Sequence, residues 1–126
     1  MSLIGLGIDL VEVRRIRDLL TKHGERFKER TFTDSEIRYC DSCADPAMHY
    51  SARFAAKEAG AKALGTGFSE GVSWKDIEVV RAENGAPSLH LHGGAKAMAE
   101  KKGATQALIS LTHTAETASA QVILAC

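Results

Sequence analysis

The chain has 126 residues, 44% of them hydrophobic, and its 16 basic residues balance its 16 acidic residues. This length suits one domain with a real core, so we treat residues 1–126 as a single unit. A net charge of zero gives no general argument for a nucleic-acid partner. No apolar run reaches the roughly 18 residues that a membrane-spanning helix needs, and the first residues lack the basic start of a signal peptide. We therefore expect no nucleic acid, no membrane and a cytoplasmic location.

The three cysteines cannot all pair within the chain, which fits a reducing compartment. Cys40 and Cys43 have the C-x-x-C spacing of some redox and zinc sites. No second C-x-x-C supports zinc, and no β-α-β pattern supports thioredoxin-like chemistry. We interpret both as incidental thiols near a helix end.

Residues 3–13, LIGLGIDLVEV, predict a strand. Because both of its faces are apolar, we expect a central position in a sheet. Asp9 is the exception in this run, since a carboxylate is costly to bury unless it is paired or bound to a metal. The alternative is that Asp9 lies near the strand end and faces water.

Residues 14–30 predict a short helix that Gly24 interrupts. This segment has seven Lys or Arg against three acidic residues, a charge of +4 in a neutral chain. Such a local patch indicates an acidic partner, either a phosphate or an acidic protein. A solvated helix face is the simpler alternative. After it, Thr33 with Glu36 predicts a capping box and a helix to about Cys40, followed by a polar linker at 41–48.

The stretch 50–67, YSARFAAKEAGAKALGTG, predicts the longest helix, with glycines at its end. Its small side chains form one stripe, which suits close packing on a sheet: Ala52, Ala55, Ala56, Ala59 and Ala63. A second stripe places Glu58 among cations and beside an aromatic ring: Phe54, Glu58, Lys62 and Gly65, flanked by Arg53 and Lys57. Glu58 and Lys62 could form an ion pair worth roughly 0.2–0.5 kcal/mol. Alternatively, the cations bind phosphate oxygens and the carboxylate binds a divalent metal.

The second half of the chain predicts mostly strands. Residues 77–81 and 87–92 form a hairpin around Asn84-Gly85, a short helix spans 93–102, and strands at 105–112 and 117–125 form a second hairpin. His90 and His92 alternate onto one strand face, which we expect to be exposed. The order predicts an α+β fold with a largely antiparallel sheet packed against one long central helix and several short helices.

Four motifs then fall into one pattern: GIDLVEVRRI at 7–16, RFAAKEAGAKALGTG at 53–67, NGAP at 84–87 and SLTHT at 110–114. With these motifs the chain resembles the holo-[acyl-carrier-protein] synthase family of small 4′-phosphopantetheinyl transferases, nearly from end to end. The resemblance implies that coenzyme A donates 4′-phosphopantetheine to a serine of apo acyl carrier protein, leaving adenosine 3′,5′-bisphosphate. It also implies a requirement for Mg²⁺ and a homotrimer with active sites in clefts between subunits.

The resemblance further implies roles for individual residues. Asp9 and Glu58 match the metal ligands, and Glu58 and Lys62 match the catalytic pair. Glu58 or a metal-bound water would accept the serine proton. The positions that match contacts to coenzyme A are Arg53, Lys57, Lys62, Gly65, Pro87, His113 and Thr114. His113 would come from a neighbouring subunit.

The same resemblance implies that the basic segment 14–30 binds acyl carrier protein, because acyl carrier proteins are strongly acidic helical bundles. Arg14, Arg15, Arg26 and Arg30 suit steering and docking of such a protein, with Phe27 as an apolar anchor.

Two other functions use the same residues. A non-catalytic module that binds phosphates or nucleotides would keep the cations of the long helix but would not need Asp9 and Glu58 together. An electrostatic scaffold would dock acidic proteins through residues 14–30 alone, without any dependence on metal. The presence of both carboxylates favours the enzyme.

Overall fold

The structure, a computed structural model, describes residues 1–126. The elements in chain order are β1 (Leu3–Glu12), α1 (Val13–Thr31), α2 (Asp34–Asp41), α3 (Pro46–Leu64), β2 (Ile77–Arg81), β3 (Pro87–Leu91), α4 (Gly93–Lys101), β4 (Gln106–His113) and β5 (Thr117–Ala125). A single turn of 3₁₀ helix precedes β2. The predicted α+β class and the order of elements are confirmed. None of the helices is both long and apolar enough to span a bilayer.

The long helix α3 begins earlier than its sequence predicts. Pro46 occupies its first turn, where a missing N–H costs nothing, so the helix starts one turn before Tyr50. Its C-cap is Gly65, in the left-handed conformation with φ 79°, and the Gly65 N–H donates to the carbonyl of Lys62. The earlier start adds His49 to the helix, which matters for the site described below.

Three antiparallel strands form the main sheet, in the order β1-β5-β4, and β2 pairs with β3 in a separate hairpin. The prediction that β1 is a central strand is wrong, because β5 lies in the centre and β1 at the edge. One face of β1 packs on the core. The other face is apolar yet exposed, at 62% for Leu6, 60% for Ile8 and 70% for Leu10. A strand that is apolar on both faces therefore has one face with no partner in this chain.

Helix α3 lies very close to β1 because the facing positions on both elements are small. Side chains at Gly5 and Gly7 would overlap the carbonyl oxygens of Ala63 and Ala59. The predicted small-residue stripe of α3 is buried against this sheet, as expected. This contact fixes the position of Asp9, on β1, relative to the second stripe of α3, which carries Glu58 and Lys62.

Helix α1 bends at Gly24, whose φ of 44° and ψ of −121° are not helical. The predicted break is confirmed, although helix continues on both sides of it. Beyond the bend, Phe27 packs against Phe32, with ring centroids 5.6 Å apart, and against Phe54 at 6.2 Å. The bend thus turns the second half of the basic helix onto the core.

The smaller sequence features also have clear positions. The capping box of Thr33 and Glu36 is present at the start of α2. All three cysteines are free, with Cys40 buried, and burial raises the pKa of the Cys40 thiol to about 12. That shift leaves Cys40 protonated and chemically inert at neutral pH. His90 and His92 are exposed, as predicted.

Candidate active site

The centre of the site is a contact between α3 and β1. The Lys62 ammonium donates to Asp9 Oδ1 at 3.2 Å and to the carbonyl of Ile8 at 3.0 Å. The Asp9 side chain is only 16% exposed, whereas that of Lys62 is 54% exposed. Lys62 therefore pairs with the strand carboxylate, and the ion pair with Glu58 that helical spacing allowed is not formed. Asp9 is neither facing open water nor unpaired.

Glu58 lies beside this pair without an ion-pair partner of its own. Burial raises the pKa of Glu58, and the negative charge of Asp9 raises it further, against the opposing charges of Lys62 and Arg15. Two carboxylates that destabilise one another in a half-buried site are well suited to a cation.

Two carboxylates are too few to hold a metal ion with protein ligands alone. The chain has no group of three or more His, Cys, Asp or Glu side chains that could hold a metal. Mg²⁺ is nevertheless usually bound through one or two carboxylates, with substrate phosphates and waters as its other ligands. Asp9 and Glu58 fit that pattern of coordination.

An aromatic wall follows the same face of α3. Phe54, one turn before Glu58, stacks on Trp74 with centroids 4.9 Å apart, and Trp74 stacks on Phe68 at 3.8 Å. The Arg15 guanidinium lies 5.4 Å from the centroid of Phe54. Because its charge also acts on Glu58, Arg15 lies at the edge of this candidate site rather than only on the outer surface of α1.

A second group of charges surrounds Tyr39. The Arg53 guanidinium lies over the Tyr39 ring at 4.4 Å, and Arg81 donates to the Tyr39 hydroxyl at 2.7 Å. Arg53 is only 3% exposed, yet its Nε is buried without a hydrogen-bond partner. A buried, unsatisfied donor on a cation is the kind of group that an anionic ligand completes.

Two histidines extend this second group. The ring of His49, one turn before Arg53 on α3, lies 6.3 Å from that of His113 at the end of β4. Burial lowers the pKa of His49, and the charges of Arg53, His113 and Arg81 lower it further. The excess of positive charge here is consistent with a phosphate-binding site.

The structure thus separates the predicted residues into two groups. Asp9, Glu58, Lys62 and Gly65 belong to the first, and Arg53 and His113 to the second. Pro87 pairs with Arg81 across the β2–β3 hairpin, which places it next to the second group. Sequence reasoning missed Tyr39, His49 and Arg81. Only His49 had a signal, its i,i+4 spacing from Arg53, and the late predicted start of α3 hid it.

Lys57 requires a correction. Its side chain is fully buried, and its ammonium bonds to Glu36 at 2.8 Å, to the carbonyl of Trp74 at 3.0 Å and to that of Ile77 at 2.6 Å. These acceptors use all three ammonium hydrogens. Burial lowers the pKa of Lys57, and the carboxylate of Glu36 opposes that shift. We therefore correct the prediction that Lys57 contacts coenzyme A, because its charge is already used inside the protein.

Thr114 also has a local role. Its hydroxyl accepts from the N–H groups of Glu116 at 3.3 Å and Thr117 at 3.1 Å, which closes the turn between β4 and β5. This turn follows directly after His113 and so holds that ring at the end of the strand.

The predicted docking residues lie along α1 on both sides of the bend. Arg14, Arg15, Arg26 and Arg30 are exposed and make no ion pair within the chain. At the bend, a hollow of about 260 Å³ is lined by residues from both sides of Gly24: Leu19, His23, Arg26, Phe27 and Arg30. An apolar floor with cations at the rim suits an acidic protein that presents an apolar side chain.

Comparison with known proteins places this arrangement in a family. The sequence model of the 4′-phosphopantetheinyl transferase superfamily matches residues 5–118. The holo-[acyl-carrier-protein] synthase of Solibacter usitatus is 47% identical over 122 residues, which cover 97% of this chain and 98% of that protein. The enzyme of the same name from Brucella ovis is 44% identical, covering 97% and 92%. This chain belongs to the 4′-phosphopantetheinyl transferase superfamily.

Solved structures agree with the sequence comparisons. The holo-[acyl-carrier-protein] synthase of Neisseria meningitidis superposes with a TM-score of 0.90 at 31% identity, over 98% of this chain and 99% of that one. The Helicobacter pylori synthase in complex with coenzyme A gives a TM-score of 0.84 at 29% identity, over 95% and 99%. The shared fold therefore extends over nearly the whole of this chain.

Proposed function

We propose that this protein transfers the 4′-phosphopantetheine group of coenzyme A to a serine hydroxyl of apo acyl carrier protein, leaving adenosine 3′,5′-bisphosphate. The observation that carries the proposal is the meeting of Asp9, Glu58 and Lys62 on the fold of this superfamily. The names of the relatives and the coenzyme A bound to the H. pylori structure support the donor and the acceptor.

Asp9 and Glu58 are the residues that would hold Mg²⁺. Burial raises the pKa of Glu58 and the negative charge of Asp9 raises it further, and a bound cation would relieve the repulsion between the two carboxylates. Bound there, Mg²⁺ would neutralise charge on the pyrophosphate and would stabilise the leaving phosphate.

The residues of the chain supply the remaining chemistry. The serine oxygen of the carrier forms a bond to the β-phosphorus of coenzyme A, and the bond from that phosphorus to the bridging oxygen breaks. Glu58, directly or through a water, accepts the serine proton. Lys62 neutralises a non-bridging oxygen as charge develops.

The second group of charges suits the 3′-phosphate of the nucleotide. Arg53 has an unsatisfied donor, Arg81 adds a second positive charge, and the rings of His49 and His113 bring nitrogens that can hydrogen-bond to phosphate oxygens. We propose that this group acts together with the Asp9 site of a neighbouring subunit. The exposed apolar face of β1 supports association of subunits, because an edge strand with an uncovered apolar face favours it. The family resemblance suggests that the assembly is a homotrimer.

The acidic carrier protein would dock on α1, through its exposed arginines and Phe27. Charge complementarity of this kind acts mainly on the association rate and on specificity. Modification of a carrier serine in this way serves fatty acid biosynthesis. The three free thiols are consistent with a cytoplasmic location.

A mass measurement tests the proposal directly. The protein is incubated with coenzyme A, Mg²⁺ and apo acyl carrier protein, and we expect the carrier to gain the mass of one phosphopantetheine. A carrier whose acceptor serine is replaced by alanine should gain nothing. If coenzyme A binds but the carrier mass never changes, the protein is a binding module rather than a transferase.

A further inference from the structure

A cation that no motif indicated lies over the end of α3. Lys102 is the C-cap of α4, and its ammonium is 3.1 Å from the point where a Cβ on Gly65 would stand. Gly65 has no side chain and a left-handed backbone, so the ammonium occupies the space beside the turn. That turn comes three residues after Lys62, in the stretch where we expect coenzyme A to approach the backbone.

The charge of Lys102 has no partner in the protein. The ion pairs of the chain do not include Lys102, and its side chain donates no hydrogen bond. The residue is exposed. Lys62, by contrast, already uses two of its three ammonium hydrogens on Asp9 and on the carbonyl of Ile8. A pyrophosphate at this place has more acceptor oxygens than Lys62 alone can serve.

We infer that Lys102 binds the pyrophosphate of coenzyme A, as a second cation beside Lys62. This inference rests on the proposed function. Lys62 is held by Asp9 and supplies one free hydrogen, whereas Lys102 can donate all three of its hydrogens to phosphate oxygens. A flexible ammonium on a helix end binds phosphate as a point charge and can follow the ligand as it moves.

The test compares Lys102→Ala and Lys102→Gln with the matched control Lys101→Ala. Lys101 is also exposed and lies in the last turn of the same helix, so its loss removes the same charge from the same region. Both Lys102 variants should weaken coenzyme A binding, measured by calorimetry with Mg²⁺, by roughly three- to tenfold. The KM for coenzyme A should rise by a similar factor while kcat stays within about twofold. Lys101→Ala should leave both values unchanged.

Dephospho-coenzyme A, which lacks the 3′-phosphate, identifies the group that Lys102 binds. If Lys102 contacts the pyrophosphate, the loss of affinity in Lys102→Ala should be the same with this analogue. A loss that disappears with the analogue would show that Lys102 binds the 3′-phosphate, and would overturn the inference.

If Lys102 had a purely structural role, the variants would change Tm and not the affinity for coenzyme A. A cation near the C-terminus of a helix stabilises the helix through its dipole. In that case Lys102→Ala would lower Tm and leave coenzyme A affinity equal to that of Lys101→Ala, and the inference would be wrong. A wild-type protein that binds coenzyme A without modifying any carrier would instead overturn the proposed function, and the comparison of Lys102 with Lys101 would still stand.

Discussion

Glu58 is the one acidic residue of α3, and the two lysines near it are both occupied elsewhere. Lys57 pairs with Glu36 on α2, and Lys62 pairs with Asp9 on β1. The adjacent residues Lys57 and Glu58 therefore differ in their contacts. Lys57 forms a buried ion pair in the core, whereas Glu58 has no ion-pair partner in the chain. A sequence that reads as one cluster of charges on a helix is divided by tertiary contacts into two faces.

Asp9 and Glu58 should each be needed for turnover and neither for folding. We expect Asp9→Asn and Glu58→Gln to fold with a near-normal Tm but to lose on the order of a hundredfold or more in kcat. Glu58→Gln should be the more damaging because it also removes the proton acceptor. Carrier modification followed by mass spectrometry gives the rates, and a Mg²⁺ titration separates the two roles.

Raising Mg²⁺ should partly restore a variant that lost only a ligand, and should not restore one that lost a base. Near wild-type rates for both variants at low millimolar Mg²⁺ would show that the carboxylates are not the metal ligands. Lys62 would then have to carry the chemistry without them.

Lys57 should affect stability rather than substrate affinity. Lys57→Met leaves the Glu36 carboxylate buried without its cation, and it removes the hydrogen-bond donor of the Trp74 and Ile77 carbonyls. We therefore expect a loss of about 3–5 kcal/mol in the free energy of unfolding. Urea denaturation measures this loss. Glu36→Gln is the matched variant, since it removes the same ion pair from the other side and should destabilise in the same way. If Lys57→Met were stable and only its KM for coenzyme A rose, Lys57 would contact coenzyme A after all, and our correction would be wrong.

At the scale of elements, the contact between β1 and α3 decides the geometry of the site. The sequence predicted both elements and the small stripe of α3, because periodicity and composition report which face of a helix is closely packed. It did not reveal that Gly5 and Gly7 are the counterparts of Ala63 and Ala59. That pairing depends on which strand lies under the helix, and no local pattern contains this information.

Gly7→Ala should separate β1 from α3. The added methyl group meets the backbone carbonyl of Ala59, which cannot move without shifting the helix, so we expect a loss of about 2 kcal/mol or more and a large fall in kcat as Asp9 moves. Gly67→Ala is the control for conformational freedom alone. It has φ 59° but nothing within 4 Å, so only about 1 kcal/mol of backbone strain is expected. Equal losses in the two variants would show that close packing is not the reason for Gly7.

Helix α1 should serve the carrier protein more than coenzyme A. Arg15 is a poor residue for testing this, because it lies beside Glu58. Arg26→Glu with Arg30→Glu reverses the rim of the hollow at Phe27, and should raise the KM for carrier protein about tenfold or more at low salt with little change in the KM for coenzyme A. Arg38→Glu, on α2, is the control. If the carrier KM stayed unchanged at low ionic strength, docking would have to lie elsewhere.

At the scale of the whole molecule, the sequence predicted the family, the order of elements and the members of the first charged group. It did not predict the second group as a unit, because Tyr39, Arg53 and Arg81 come from three different elements. It also misplaced β1, since apolar residues on both faces of a strand do not reveal whether the second face is covered by this chain or by another. The edge position and the exposed apolar side chains of β1 are the observations on which we base the proposed association with other copies.

A split site makes a prediction that a self-contained subunit does not. If Asp9 of one subunit works with Arg53 of a neighbour, then Asp9→Asn and Arg53→Ala should each lose most of their activity as homotrimers. Co-expressed, they should form mixed trimers in which an intact Asp9 and an intact Arg53 meet, with activity well above either parent. Adding Ile8→Glu to both chains places a charge on the exposed apolar face of β1, and should yield monomers in light scattering without this recovery. Ala97→Glu adds an equal charge at an exposed position of α4, and it should leave both the trimer and the recovery of activity intact. Mixed trimers that stay inactive would place both groups of charges in one subunit.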